Sequence, residues 1–300
     1  MPGIHFPKHS VSKSSFSHSL ITGTLLLTFA GVLTRIIGFF YRIFLSRVIG
    51  AEGIGIYQLT APVMALGFAI TSAGIQTSIS RFVSTEVGKK NPNGARRYLF
   101  AGLALSLLLS AVFSLILWKY AAFIATAWLG DARCAPLLSV LSLSFVPSCI
   151  HACINGYYYG LKKTGVPALT QLAEQFARVA AVYALFLIYS EQQSAVPLSI
   201  TMWGIVIGEI ASTLVSVSCI RLLPDAGSSK PSWSSCTKNL LLMAAPLTAN
   251  RVVLNLFSSY ENIMIPNRLR LFGYDTSDAL GVYGILTGMA MSVVMFPSVI

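Results

Sequence analysis

Charge is what this sequence has least of. Only 10% of its 300 residues are Asp, Glu, Lys or Arg, against roughly 25% in an average soluble domain, while 55% are hydrophobic. No water-soluble core absorbs that much apolar surface, so a soluble globule is excluded. Alternation of apolar and polar residues over ~10-residue stretches is also missing, which excludes a membrane β-barrel. The five cysteines, Cys134, Cys149, Cys153, Cys219 and Cys236, are odd in number and scattered through mostly apolar segments. They predict buried, reduced thiols and no disulfide framework. Paired acids near an intramembrane histidine are lacking as well. That argues against a membrane enzyme such as a polyprenyl phosphatase or glycosyltransferase, whose chemistry needs a converging base, nucleophile or metal-binding carboxylates. His151 stands between Cys149 and Cys153, but position i+2 on a helix points away from both, so no metal site is predicted there. No cofactor is predicted either.

What is present is a series of apolar runs, each long enough for the ~20 residues that cross a hydrocarbon slab. They cover 20–49, 58–80, 98–120, 137–160, 168–189, 198–220, 240–265 and 279–300. The fold class read from them is an all-α integral membrane protein of about eight transmembrane helices. The first run continues past the length of a signal-peptide core, so an uncleaved helix is predicted, preceded by a Ser-rich tail over 1–19 that includes His5, His9 and His18. The net charge of +11 sits in short clusters between apolar runs, without the single aromatic-laced patch of a nucleic-acid binder. With the N-terminus cytoplasmic, the inside connections hold twelve Lys and Arg and the outside ones five, which orients the chain by the positive-inside rule. Trp118, Tyr120, Trp128 and the run Tyr157, Tyr158, Tyr159 fall where interfacial anchors belong.

Ionisable residues at membrane depth carry the functional signal, because each costs at least ~2.5 kcal/mol at a helix centre unless it faces protein or water. At 3.6 residues per turn, Gly31, Arg35, Gly38 and Arg42 fall within about 60° of one another, with Thr24, Thr28 and Ser46 on the same side. Leu26, Phe29, Leu33, Phe40 and Phe44 lie opposite, toward lipid. The seventh run repeats this spacing with Arg251, Asn255, Ser258 and Asn262. Two such cationic stripes predict a shared aqueous cavity. Arg42 and Arg251 are also placed where they can snorkel to an interface. Glu209, mid-span in the sixth run, is open to two readings: an ion-pair partner for an arginine, or a coupling site for an ion or proton. Glu174 and Arg178, spaced i, i+4, predict a local salt bridge. Gly50, Gly53 and Gly55 join two helices and follow no strand, so they predict a tight connection and not a dinucleotide fingerprint.

Gly55-Ile56-Tyr57 recurs as Gly281-Val282-Tyr283, each one helix after an arginine stripe. This predicts parallel six-helix repeats with the binding site between the halves. The expected division is a tail over 1–19, a six-helix lobe over 20–222, an inter-lobe linker over 223–238 and the start of a second lobe over 239–300. The apolar run at the end predicts an N-terminal fragment of a longer protein.

The segment Thr34 to Tyr57, TRIIGFFYRIFLSRVIGAEGIGIY, then Pro62, and SRFVSTEVGKKNPNGARR from Ser80 to Arg97 resemble the stage V sporulation protein B branch of the polysaccharide-exporter flippases. These belong to the multidrug, oligosaccharidyl-lipid and polysaccharide exporter (MOP) superfamily, which includes the lipid II flippases. The resemblance implies two six-helix lobes that alternate access to a central cavity, as in multidrug (MATE) transporters, in the cytoplasmic membrane. Cavity arginines would hold the diphosphate of an undecaprenyl-linked sugar. Arg35 and Arg42 fall in the family's first-helix motif, while Arg251 and Asn255 rest on the stripe. The acidic residue that follows the motif in many lipid II flippases is not evident; Tyr57 and Gln58 stand there. The implied function is export of a lipid-linked cell-wall or polysaccharide precursor, in spore cortex peptidoglycan synthesis, with membrane lipids and cell-wall synthesis enzymes as partners and no nucleic acid. The alternatives are a cation-coupled multidrug exporter of the same superfamily and a non-functional truncated copy.

Overall fold

A computed structural model describes residues 13–192, 196–224 and 232–294, with side chains from Thr22. His5 and His9 lie outside the described residues, as do 295–300 of the last predicted run and the middle of the predicted linker. Every described element is helical. Helix α1 (Lys13–Phe68) passes through a π-turn (Ala69–Ala73) into α2 (Gly74–Gly88), and α3 (Pro92–Lys119) returns. A short α4 (Ala121–Phe123) and a π-turn lead to α5 (Cys134–Leu141) and α6 (Phe145–Gly160), joined through one 3-10 turn. Then come α7 (Gly165–Glu191), α8 (Ile200–Cys219), α9 (Trp233–Leu271), α10 (Thr276–Gly284) and, after a π-turn, α11 (Met291–Val294).

Among the described residues, six helical stretches are long and apolar enough to cross a membrane, and the first of them, Thr22–Gly88, contains a break. Gly50 lies in it with φ 71° and ψ 174°, outside helical space. Only glycine reaches that conformation without strain, so the expected tight connection is this one residue. The chain is a multi-pass membrane protein. The predicted boundaries differ at three points. The first helix begins at Lys13, inside the stretch read as a tail, and α9 begins at Trp233, inside the stretch read as a linker. The second helix runs to Gly88, well past Ser80. In each case helical hydrogen bonding continues through polar residues beyond the apolar run, which marks only the part in hydrocarbon.

The Gly88–Pro92 turn shows how polar residues organise a connection. Glu86, buried at 8% exposure, accepts hydrogen bonds from Lys89 Nζ (3.0 Å) and Asn91 Nδ2 (2.7 Å). Asn91 Oδ1 caps α3 by accepting from Gly94 N at 3.1 Å, with Pro92 in the first turn where its missing N–H costs nothing. Tyr157 and Tyr158 are not interfacial anchors; both are buried. The Tyr158 hydroxyl donates to Cys219 O (2.7 Å) and accepts from Arg221 N (2.9 Å), and the Tyr157 hydroxyl accepts from Leu223 N (3.1 Å). They satisfy the backbone where α8 ends. Tyr159, Trp118, Tyr120 and Trp128 are exposed, as anchoring requires. Phe29 and Phe40 face outward, whereas Phe44 packs on Tyr183 and Phe186 of α7 instead of on lipid. The five cysteines are free, four of them buried.

The two copies of the repeated glycine-aromatic motif meet. A Cβ on Gly55 would lie 2.2 Å from the Leu280 carbonyl oxygen, and one on Gly284 would lie 2.6 Å from Gly55 N and 2.7 Å from Ala51 O. Backbone cannot yield as a side-chain tip can. Gly55→Ala or Gly284→Ala should therefore push α1 and α10 apart and destabilise the protein by about 1–3 kcal/mol. Gly88→Ala, with nothing within 4 Å of the new methyl, should be neutral or slightly stabilising. Thermal unfolding in detergent checks all three.

Candidate functional site

Of the predicted stripe, only part faces open space. Gly38 packs near Gln175 of α7, and the Thr34 hydroxyl accepts from Gln171 Nε2 at 3.3 Å, so this face of α1 is in part a polar helix–helix seam. Arg35 is exposed and Arg42 half-buried. Arg42 Nη1 donates to the carbonyl of Gly288 at 3.0 Å, reaching from α1 to the π-turn that follows α10. The second stripe reaches the opposite way. Asn255 Nδ2 donates to Ala65 O of α1 at 3.2 Å, and Arg251 Nη2 approaches Thr77 Oγ1 of α2 at 3.5 Å. Each stripe thus reaches onto the helix that carries the other copy of the repeat.

Arg42 and Arg251 reach different elements, Gly288 after α10 and Thr77 of α2. Arg42 is eight residues before Gly50, about 12 Å along the helix, and Arg35 about 22 Å. The cavity of about 550 Å3 lined by Tyr260, Glu261, Met264, Ile265, Arg268 and Leu269 lies on the far half of α9 and includes none of them.

A second group of charges lies among α6, α7 and α8. Arg178 Nη2 is hydrogen-bonded to Glu174, confirming the local salt bridge. The pair is not isolated, however, because His151 Nδ1 lies 3.2 Å from Glu209 Oε2, and ligating atoms of His151, Glu174 and Glu209 all fall within 4.8 Å of one another. Glu209 therefore has a histidine as its nearest ionic partner, with Arg178 in electrostatic reach. The close approach comes from Gly204 and Gly208 on α8. A Cβ on Gly208 would lie 2.9 Å from Glu174 O and one on Gly204 2.3 Å from Val182 Cγ2, so the small-xxx-small spacing lets α7 and α8 touch. Three donors at this spacing would suit a metal by distance alone. The guanidinium already bonded to Glu174 makes the group a hydrogen-bonded ionic cluster instead. Sequence reasoning judged His151 by its cysteine neighbours and so missed its partners; the available signal was Gly204-Ile205-Val206-Ile207-Gly208 just before Glu209.

The bend at Gly50 carries a third charged group. Arg133 donates to Glu52 (2.8 Å) and to Asp131 (2.8 Å), and the Ser277 hydroxyl adds a hydrogen bond to Glu52. The hydrogen bond from Arg133 holds the Glu52 carboxyl below its ordinary value. At Asp131 partial burial opposes ionisation, but hydrogen bonds from Arg133 outweigh it and keep this carboxyl low as well.

Residues 20–300 match the family described as polysaccharide biosynthesis protein. The chain belongs to that family. It is similar to the stage V sporulation protein B of Bacillus subtilis (strain 168), 30% identical over 292 residues that cover 94% of this chain and 56% of that protein. The lipid II flippase MurJ of the same organism is 27% identical over 171 residues, 54% of this chain and 31% of its own length. The chain thus spans little more than half of the first relative and about a third of the second. Among solved structures, the MATE multidrug transporter DinF-BH superposes with TM-score 0.71 at 16% identity, covering 98% of this chain and 65% of that one. The fold is that of the MATE transporters of the MOP superfamily.

Both carboxyls of the Gly50 rim are depressed, so their contribution to stability is present above the ordinary carboxylate range and lost as pH falls through their folded values. The groups are partly exposed and solvent-screened, which limits each pair to about 0.2–1 kcal/mol. Arg133→Gln removes both pairs and should lower thermal stability by no more than about 2 kcal/mol at neutral pH, and the gap to wild type should close as pH falls below about 4. Melting curves across pH test this.

Proposed function

We propose that this protein takes part in moving a lipid-linked cell-wall or polysaccharide precursor, an undecaprenyl-diphosphate-linked sugar, across the cytoplasmic membrane. Family membership supports the substrate class. The observation that carries the mechanism is the reciprocal reach of the stripes: Arg42 onto the Gly288 carbonyl, and Asn255 onto the Ala65 carbonyl. A diphosphate offers stronger, charge-assisted acceptors than those carbonyls, so its arrival exchanges neutral bonds for charged ones. Arg42, Arg35 and Arg251 then offer it positive charge, and a headgroup can pass along them while lobes over 20–222 and 239–300 rock against each other. Substrate contacts fall to Arg35, Arg42, Arg251 and Asn255. The N-terminus is cytoplasmic on this reading, and the first relative's name supports a role in sporulation, which we place in spore cortex synthesis beside cell-wall enzymes. The work is transport and not catalysis on this reading, since the buried His151 has Glu209 as its ionic partner.

The acids Glu174 and Glu209 favour a second reading, cation-coupled multidrug export. Competition separates the two: anionic polyprenyl lipid, and not an organic cation, should displace bound fluorescent polyprenyl diphosphate.

Arg35→Ala and Arg42→Ala each remove one charge-assisted contact of about 1.5–3 kcal/mol, so each should weaken binding of an undecaprenyl diphosphate lipid to the protein in nanodiscs roughly tenfold to a hundredfold. Headgroup translocation in liposomes should fall in parallel. Wild-type affinity and rate in both variants would overturn the assignment.

A further inference from the structure

Arg42 is not the only side chain that comes to Gly288. The two arms of α1 and α2 that meet at Gly50 begin and end at one end of the molecule, since Gly23 packs on Thr164 and Val83 on Gly160, four residues away. Arg42 stands eight residues before the bend and Gln58 eight residues after it, so both start from about the same depth. They converge on one glycine. Arg42 Nη1 donates to the Gly288 carbonyl at 3.0 Å, and Gln58 Nε2 lies 3.4 Å from the place a Cβ on Gly288 would take. Gly288 belongs to the π-turn Ile285–Ala290, after which Met291 N–H bonds to Leu286 O, five residues back. A Cβ on it would lie 2.7 Å from Ile54 Cγ2, so this turn sits tight against the second arm.

The Gln58 amide has bonding to give. The residue is half-buried, and among the described residues nothing is hydrogen-bonded to its carboxamide. A carboxamide brings two N–H donors and no charge. At membrane depth such a group is costly unless a partner arrives. A glutamate of nearly the same shape would instead face Arg42 with a full negative charge and compete with any anion for the guanidinium. We propose that Gln58 is a further headgroup-contacting residue, which donates to the same phosphate that Arg42 takes, and that its neutrality makes this point selective for an anion. Gln58 thus extends the headgroup site of the flippase reading and depends on that reading. As the phosphate arrives, Arg42 leaves the Gly288 carbonyl. One N–H of Gln58 then goes to the phosphate, and the other is placed to meet that carbonyl, so the backbone acceptor keeps a donor.

The test is binding of undecaprenyl diphosphate to the 300-residue protein in nanodiscs, comparing wild type with Gln58→Glu, Gln58→Met and Arg42→Ala across pH. Gln58→Glu sets a carboxylate beside Arg42 and should weaken binding at least about tenfold at neutral pH. That loss should shrink as pH falls toward about 4, where the new carboxyl takes a proton. Gln58→Met keeps length and neutrality but has no N–H, and should weaken binding about threefold to tenfold at every pH. Wild-type affinity in Gln58→Met overturns the proposal. So does a loss in Gln58→Glu that is the same at every pH, which marks a packing defect and not a competing charge. Where the glutamate variant fails to fold, the methionine variant still decides. Arg42→Ala separates the two readings: wild-type binding there sinks the flippase site itself, whereas weakened binding there with both Gln58 variants unchanged sinks only the role of Gln58.

Discussion

Close approach of helix backbones is the constraint on which this structure depends. Lipid tails are as apolar as leucine side chains, so helices in a bilayer gain little from hiding apolar surface against one another and rely on packing and internal hydrogen bonds. Here glycine sets the distance. Gly55 and Gly284 let the second helix meet α10 with backbone against backbone, Gly74 admits Thr248 of α9, and Gly204 and Gly208 bring α8 onto α7. Remove these contacts and the polar groups that depend on them lose their partners: Arg42 no longer reaches the Gly288 carbonyl, and Glu209 no longer meets His151.

Two kinds of charge placement follow from that packing. In the cluster of His151, Glu174, Arg178 and Glu209, opposite signs lie side by side, and the group is compensated to within one unit of charge. Along the seam, Arg42 and Arg251 contact the neutral oxygens of Gly288 and Thr77, and the uncharged Asn255 amide that of Ala65. Neutral acceptors bind a cation less strongly than an anion does, so these two arginines have bonding to gain from a negatively charged ligand.

Much of the fold was legible because hydrocarbon imposes a simple filter. Length and apolarity mark spans, and the residues that break the filter, Arg35, Arg42, Glu209 and Arg251, stand out for that reason. The i, i+4, i+7, i+11 spacing placed Arg42 and Arg251 on facing stripes, and both do reach across the seam. Which partners they meet was not legible, since periodicity gives direction around a helix axis and says nothing of how far one helix slides along another. Tyr157 and Tyr158 show the same limit: a tyrosine run at a helix end reads as an interfacial anchor, and only the arrival of residues 219–223 over it makes it a buried cap.

By itself, the sequence determined that the chain crosses a membrane several times, that its helices carry cationic stripes in corresponding places, and that it resembles polysaccharide-exporter flippases. Those properties reside in composition, period and motif, which are local. Tertiary structure decided which charges become partners. His151 lies 23 residues from Glu174 and 58 from Glu209 in the chain, and the 3.2 Å contact exists only because glycines on α8 allow three helices to converge. Pairing across helices depends on interhelical distance and axial offset, quantities set by packing and by no periodicity within a single segment.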